Sequence, residues 1–420
     1  MPRSRRAVPA RPPLRLLHGS AAEGAPQAPA AAAVNALVLQ GGGALGSYQA
    51  GAFEALAARA QELHWVAGIS IGAINAALIA GNPAPLRVQR LREFWERVSL
   101  AVPLLPDPPD LPQPMRGWWD GSMALWGMWS GVSGFFAPRP WWNWWPQHPA
   151  SWYDTAPLRG TLLELVDFEL LNDGPMRFSV GAVDVQSGNF EYFDNRRQRI
   201  GPEHIMASGA LPPGFAPVPI DGRWYWDGGL VSNTPLAYVL SRLQADPDTP
   251  VTIFQIDLFS ARGQVPHTLQ EAVERDKDIR YSSRTRLVSD LMRERHHWHL
   301  RLQRLAELLP PEQRASAEVQ ELLAGTRDPA MTLVHVILSG KERSAHFKDY
   351  EFSRLSMNER WQAGQSDMRA ALQLLDEQPP PRPGRLRVLD HQAGARAVRD
   401  DPPPLAQPAD GAAAPDDQKR

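Results

Sequence analysis

The chain has 420 residues, 43% hydrophobic and 21% charged, with 44 Lys+Arg against 46 Asp+Glu. That length can bury a sizeable core, the composition is that of a globular chain, and the near-neutral balance removes the electrostatic case for a nucleic-acid binder. Cysteine is absent, which excludes disulfides, thiol nucleophiles and thiolate metal ligands while saying nothing about redox compartment.

Residues 1–33 are rich in Ala, Pro and Arg without apolar periodicity, and read as a disordered arm. Ser4-Arg5-Arg6 has the look of a twin-arginine export signal, but Pro9, Arg11, Pro12, Pro13 and Arg15 interrupt any apolar core behind it. A short apolar strand at Val34–Gln40 then runs into three glycines. Gly46–Ala60 follows as a helix, with Tyr48, Ala52, Phe53, Leu56 and Ala60 at helical spacing. A strand at Trp65–Gly68 precedes an apolar helix at Ile71–Ala80. Further strands are expected at Arg177–Val185, Val251–Leu258 and Met331–Leu338, and helices at Asn233–Leu243 and Glu351–Leu375. Apolar strands separated by helices predict an α/β fold with a mostly parallel central sheet flanked by helices.

Between about 102 and 152 the alternation stops. This stretch carries Trp118, Trp119, Trp126, Trp129, Trp141, Trp142, Trp144, Trp145 and Trp152, interleaved with Pro and Gly that argue against a long regular helix. It is either an insertion packed on its own small core or an apolar mouth suited to a lipid–water boundary. Leu269–Leu309 is helical in pattern, with Arg293, Arg295, Arg301 and Arg304 around His296, His297, Trp298 and His299. Successive helical residues diverge, so at most two of those histidines share a ligand site, and a solvated or partner-facing helix is expected. Residues 379–420, opening on Pro379–Pro383, read as a disordered Pro-rich tail. No apolar run reaches the ~18 residues that span a bilayer.

Three motifs carry chemistry. Gly41-Gly42-Gly43-Ala44-Leu45-Gly46 follows a strand and opens a helix, so its backbone N–H groups favour negative charge. It fits the dinucleotide pattern, but the carboxylate that should end the next strand is missing: Glu62 comes before that strand. Gly68-Ile69-Ser70-Ile71-Gly72 is G-x-S-x-G between strand and helix, either a nucleophile elbow or a serine N-cap with two packing glycines; the context tips it toward the elbow. A hydrolase triad would then want an acid and a histidine. None of His204, His267, the 296–299 cluster, His335, His346 and His391 sits in a clear strand-end loop behind such an acid. Trp224-Tyr225-Trp226-Asp227-Gly228-Gly229 supplies another partner, or else a common Asp-Gly turn.

Together these blocks resemble the patatin-like phospholipase family: Gly41–Gly46 its glycine-rich loop, Gly68–Gly72 its elbow, and Asp227-Gly228-Gly229 its D-G-[AG] box. Ala207–Pro212, continuing to Phe215 and Pro217, is similar to the segment that precedes the box. The resemblance covers roughly residues 34–245, the expected catalytic domain, with residues 246–378 completing a patatin-like three-layer fold as a partly helical C-terminal extension. It implies a Ser70–Asp227 dyad, Gly42 and Gly43 N–H groups as the oxyanion hole, and no metal or organic cofactor. Burial among Trp224, Tyr225 and Trp226 is expected to raise the Asp227 pKa. Leu45 departs from the pattern, since many members carry Lys or Arg there. The implied activity is lipid acyl hydrolysis of phospholipase A or carboxylesterase type, with a lipid or acyl-ester substrate. A non-catalytic lipid- or protein-binding scaffold is the alternative. The implied location is cytoplasmic and peripheral at the membrane through the Trp-rich insertion; head group and oligomeric state are not legible.

Overall fold

The computed structural model describes residues 33–59, 61–99, 113–140, 151–243, 245–283, 285–338, 349–379, 381–392 and 395–400. Strand β1 (Val34–Leu39) leads to α1 (Gly46–Ala57), and β2 (Trp65–Gly68) to α2 (Ile71–Ala80) and α3 (Arg87–Arg97). The Trp-rich stretch contributes α4 (Gln113–Ser130), β3 (Ala137–Pro138) and β4 (Tyr153–Asp154). Helices α5 (Ala156–Leu165) and α6 (Phe168–Asp173) precede β5 (Arg177–Asp184), β6 (Phe190–Asp194) and α7 (Pro202–Ser208). The hairpin β7 (Val218–Ile220) and β8 (Arg223–Asp227) is followed by α8 (Leu236–Arg242) and β9 (Val251–Asp257). A helical excursion comprises α9 (Leu269–Tyr281), α10 (Thr285–Glu307), α11 (Pro311–Arg314) and α12 (Ala317–Ala324). The chain returns through β10 (Met331–Ile337), α13 (Arg354–Glu377), β11 (Leu386–Gln392) and β12 (Ala395–Asp400).

Ten of these strands form one sheet in the order β12-β11-β10-β9-β1-β2-β5-β8-β7, with β6 also paired to β5. The run from β11 to β5 is parallel throughout, and β12, β6, β8 and β7 join antiparallel. Side chains alternate across a strand, so β1 feeds two cores at once. Leu37 and Leu39 enter the core shared with α1, α2 and α13, while Ala36 and Val38 enter the one under α8. Helix α13 lies backbone-close to α1: a Cβ added at Gly51 would stand 1.9 Å from the Trp361 carbonyl oxygen, and one at Gly364 2.0 Å from that of Tyr48. The crossover from β1 through α1 leads to β2 on one side, whereas the chain returns from β8 through α8 to β9 on the other side of β1, so a crevice opens at the carboxyl ends of these strands, the usual place for a ligand in such sheets.

Two sequence expectations are corrected. Residues 113–130 do form a long helix: Pro114 falls in the first turn, where no N–H bond is lost. Residues 386–400, expected within a disordered tail, add two strands to the sheet. Leu386, Val388 and Leu389 are buried, and β11 pairs with β10 from Met331↔Leu386 to Ile337↔Gln392, so the sheet edge satisfies backbone that no local signal would. The arm up to residue 32, Trp141 to Trp145, and residues beyond 400 lie outside the described residues. Among the described residues no helix is long and apolar enough to cross a membrane.

Candidate active site

The elbow after β2 exists because two positions have no room for a side chain. A Cβ at Gly68 would lie 2.2 Å from the Gly72 carbonyl oxygen, and one at Gly72 2.5 Å from that of Leu39. Between them Ser70 is held at φ 55, a left-handed conformation costly for a residue with a side chain. Ser70 precedes α2 as its N-cap but makes no side-chain capping bond. Its hydroxyl instead donates to Asp227 Oδ2 at 2.6 Å, across 157 residues of sequence.

Asp227 is the last residue of β8, opposite Ala182 of β5. The common hairpin turn is made one step earlier, by Asp221 (φ 48) and Gly222 (φ 81) between β7 and β8. Asp227 Oδ1 accepts the Gly229 N–H at 2.7 Å. Burial pushes its carboxyl up to about 7, the bonds from Ser70 and Gly229 opposing the rise. The expected screen of tryptophans is only partial, since Trp224 is 38% exposed.

Segment Ser208–Ala210 braces both partners. Ser208 Oγ accepts the Ser70 N–H at 3.0 Å and donates to the Gly181 carbonyl at 2.7 Å, while the Ala210 carbonyl accepts the Asp227 N–H at 3.0 Å. The Ser70 N–H is thereby occupied.

The glycine loop carries further backbone donors. Gly41 N–H bonds the Asn233 carbonyl (3.1 Å), Ala44 N–H that of Asp349 (2.8 Å) and Leu45 N–H that of Gly42 (3.2 Å). Among the described residues, the N–H groups of Gly42 and Gly43 have no protein partner, and both residues line the same crevice as Ser70 and Asp227. Gly43 sits at φ 56, where a Cβ would stand 2.3 Å from the Asp349 carbonyl oxygen. Leu45 is buried in the core, but a cation is held behind the loop nonetheless: Arg360 Nη1 donates to the Ala44 carbonyl at 3.2 Å, and Nη2 pairs with buried Glu351 at 3.1 Å.

Several residues here carried no motif. Gln40 is fully buried at the end of β1: its Oε1 accepts the N–H groups of Leu258 (2.6 Å) and Phe259 (2.9 Å), and its Nε2 donates to Thr234 and Tyr281. Asn233 Nδ2 donates to the carbonyls of Gly41 and Tyr281. A polar residue ending the strand was the available signal for Gln40, and Ser208 lies in the Ala207–Pro212 block that resembles the segment before the aspartate box; Asn233 had no signal. The segment 349–352 of the C-terminal part forms a wall: Asp349, Tyr350 and Phe352 line the crevice.

The crevice encloses about 1020 Å³, its open mouth included, and its walls are largely aromatic and aliphatic, with Phe135, Phe136, Phe215, Phe259 and Leu158 prominent. Among the described lining residues there is no histidine, lysine or arginine. His296 and His299, one helical turn apart, both reach Asp328 Oδ2 (3.2 and 2.8 Å) and are not among the crevice-lining residues, and no cluster suited to a metal ion occurs among the described residues.

Among curated proteins none matches the chain. Similar solved structures include VipD from Legionella pneumophila, 14% identical, covering 83% of this chain and 67% of that one at a TM-score of 0.35. The type III effector protein ExoU is 13% identical over 83% of this chain and 54% of its own, at a TM-score of 0.34. The chain thus spans about two thirds of the first and about half of the second. A family model described as patatin-like phospholipase matches residues 37–240, and one described as patatin phospholipase matches residues 279–383. The first match contains the glycine loop, the elbow and the aspartate box, the second the 349–352 wall, and the chain belongs to the patatin-like phospholipase family.

Proposed function

We propose that this protein is a serine lipid acyl hydrolase working through Ser70 and Asp227. The observation that carries the reading is the 2.6 Å bond from the Ser70 hydroxyl to a buried carboxylate that no cation among the described residues touches, in an apolar crevice shared with two glycine N–H groups unbonded among those residues. A carboxyl near pH 7 is matched to removing a serine proton at neutral pH, which an ordinary aspartate at ~3.9 is not.

In the proposed sequence Ser70 Oγ attacks the ester carbonyl carbon as its proton passes to Asp227 Oδ2. The carbonyl π pair moves onto oxygen, and the Gly42 and Gly43 N–H groups stabilise that oxyanion, each by about 3 kcal/mol. Collapse breaks the bond to the alcohol, which leaves with the proton held on Asp227. Water then attacks the acyl-enzyme, gives its proton to the same carboxylate, and releases the fatty acid as the proton returns to Ser70. The groups used are those of the chain and of water; an alcohol in place of water would give acyl transfer by the same route.

The aromatic walls suit a hydrocarbon chain. Among the described lining residues the charged ones, Asp227 and Asp349, are acidic, so no charged side chain there attracts a phosphate, and the acyl chain is the part recognised. A fluorophosphonate probe tests the reading. Wild type should be labelled at Ser70 and should hydrolyse a long-chain acyl ester, with both lost in Ser70→Ala. A wild type that resists labelling, or a Ser70→Ala protein that hydrolyses at the native rate, would leave the scaffold reading in its place.

A further inference from the structure

Helix α4 has two unlike faces. Arg116, Met123, Ala124 and Gly127 are buried, and Met128 lines the crevice. On the outer side Met115, Trp126 and Trp129 follow one another at spacings that keep them on one stripe, with Leu125 beside it. Trp129 is 81% exposed and Trp126 57%. Trp152, 56% exposed, stands next to Tyr153, another crevice wall whose hydroxyl donates to the Met128 carbonyl at 2.8 Å. The indole surface and the crevice wall are therefore two sides of one helix, about 10 Å thick. Contiguous large apolar groups left in water are unusual on a protein with nothing to cover them.

Charge decides what covers this face. From Gly121 to Pro138 the chain carries no charged residue, so the α4 face offers no complementary ions to a protein surface or to an anionic headgroup; the cation beside Trp152, Arg139, donates its Nε–H to the Tyr153 carbonyl at 3.1 Å. What it offers is indole, whose apolar body and single N–H suit the boundary between lipid chains and headgroups. Helix α10 presents a contrasting surface: Leu291, Trp298 and Leu302 are exposed, but Arg295, Arg301 and Arg304 are interspersed, and Arg301 lies over the Trp298 ring at 5.0 Å.

We propose that the outer face of α4, with Trp152, docks on a phospholipid bilayer by apolar insertion and sets the crevice mouth against the lipid. This rests on the reading of the crevice as an acyl-chain site, and the test separates the two. Co-sedimentation with zwitterionic phosphatidylcholine vesicles is measured on the full chain carrying Ser70→Ala, so binding is read without turnover. Removing both indoles, Trp126→Ala with Trp129→Ala, should lower the partition coefficient by about tenfold or more. The Trp→Phe pair should keep most of it, and raising salt from 50 to 500 mM should change it less than twofold. Trp298→Ala with Leu302→Ala should leave it in place. In the hydrolytically competent chain, the α4 pair should lose at least tenfold more rate on vesicle substrate than on a dissolved short-chain ester, with an unchanged melting temperature. Vesicle binding unaltered by the α4 pair, binding abolished by salt, or loss confined to the α10 pair would each overturn the proposal. So would a change in oligomeric state on removing the α4 indoles with vesicle binding intact. Vesicle binding by a chain that never labels with fluorophosphonate would instead sink only the hydrolase reading.

Discussion

Two aspartates end strands of the same sheet, both are buried, and their chemistry is opposite. Asp194, closing β6, accepts from Arg177 (2.7 Å), Ser179 (2.9 Å), Tyr238 (3.0 Å) and the Arg196 N–H (2.9 Å). Burial works against its charge, but the Arg177 guanidinium and these donors outweigh burial and hold its pKa below the ordinary value. Asp227, closing β8, has the Ser70 hydroxyl and one backbone N–H, and is pushed up to about 7. The contrast teaches that burial alone does not define a base. A carboxylate given a cation becomes a structural tie, whereas one denied a cation keeps its appetite for a proton and can use it on a neighbouring hydroxyl.

The comparison is most easily broken by isosteric change at the two sites. Asp227→Asn should lower kcat on an acyl ester by about a thousandfold, as loss of a proton acceptor does in related serine mechanisms, while raising stability at pH 8 by roughly 1–3 kcal/mol. The sign follows from the raised folded pKa: the fold holds that proton more tightly than the unfolded chain does, so stability falls as pH rises from about 4 to about 7, and Asn removes that loss. Asp194→Asn should instead cost about 3 kcal/mol, roughly a hundredfold in the folding constant, by stranding Arg177. Denaturant melts of both variants at pH 8 check the pair; destabilisation of equal size at the two sites would erase the distinction.

A smaller effect sharpens the same point. In the proposed mechanism only ionised Asp227 accepts the serine proton, so kcat/KM should fall about tenfold per pH unit below an apparent pKa of about 7, a limb that should vanish in the residual activity of Asp227→Asn. Asp194 contributes in the other direction, stabilising above the unfolded aspartate value of ~3.9 and losing that contribution only as pH drops through its depressed folded pKa. The smallest effect is expected at Ser208. Ser208→Ala removes the acceptor that holds the Ser70 N–H and should slow fluorophosphonate labelling by about tenfold, with kcat lowered more than KM is raised and Ser208→Thr restoring part of the rate. A change in melting temperature with labelling untouched would make Ser208 purely structural.

Sequence reading went furthest where the information was local. Strands at Val34–Leu39 and Trp65–Gly68 and the helix at Ile71–Ala80 followed from apolar runs, and the elbow from two glycines that the turn requires. It failed at 113–130, where Pro114 and the glycines were weighed as breakers without regard to position in the turn, and at 386–400, where a seven-residue strand was averaged into a Pro-rich tail. The roles of Asn233, Ser208 and Asp349 escaped notice because they act through hydrogen bonds to peptide groups distant in the sequence.

What the sequence determined by itself, then, was which groups carry reactive oxygens and which positions must be glycine, because these depend on side-chain chemistry and local backbone sterics. Tertiary structure decided that Ser70 and Asp227 meet, that Gly42 and Gly43 keep their N–H groups unbonded among the described residues, and that the C-terminal part walls the crevice. Those facts depend on which strands become neighbours. That is settled by burying two faces of one sheet, and no local spacing records it.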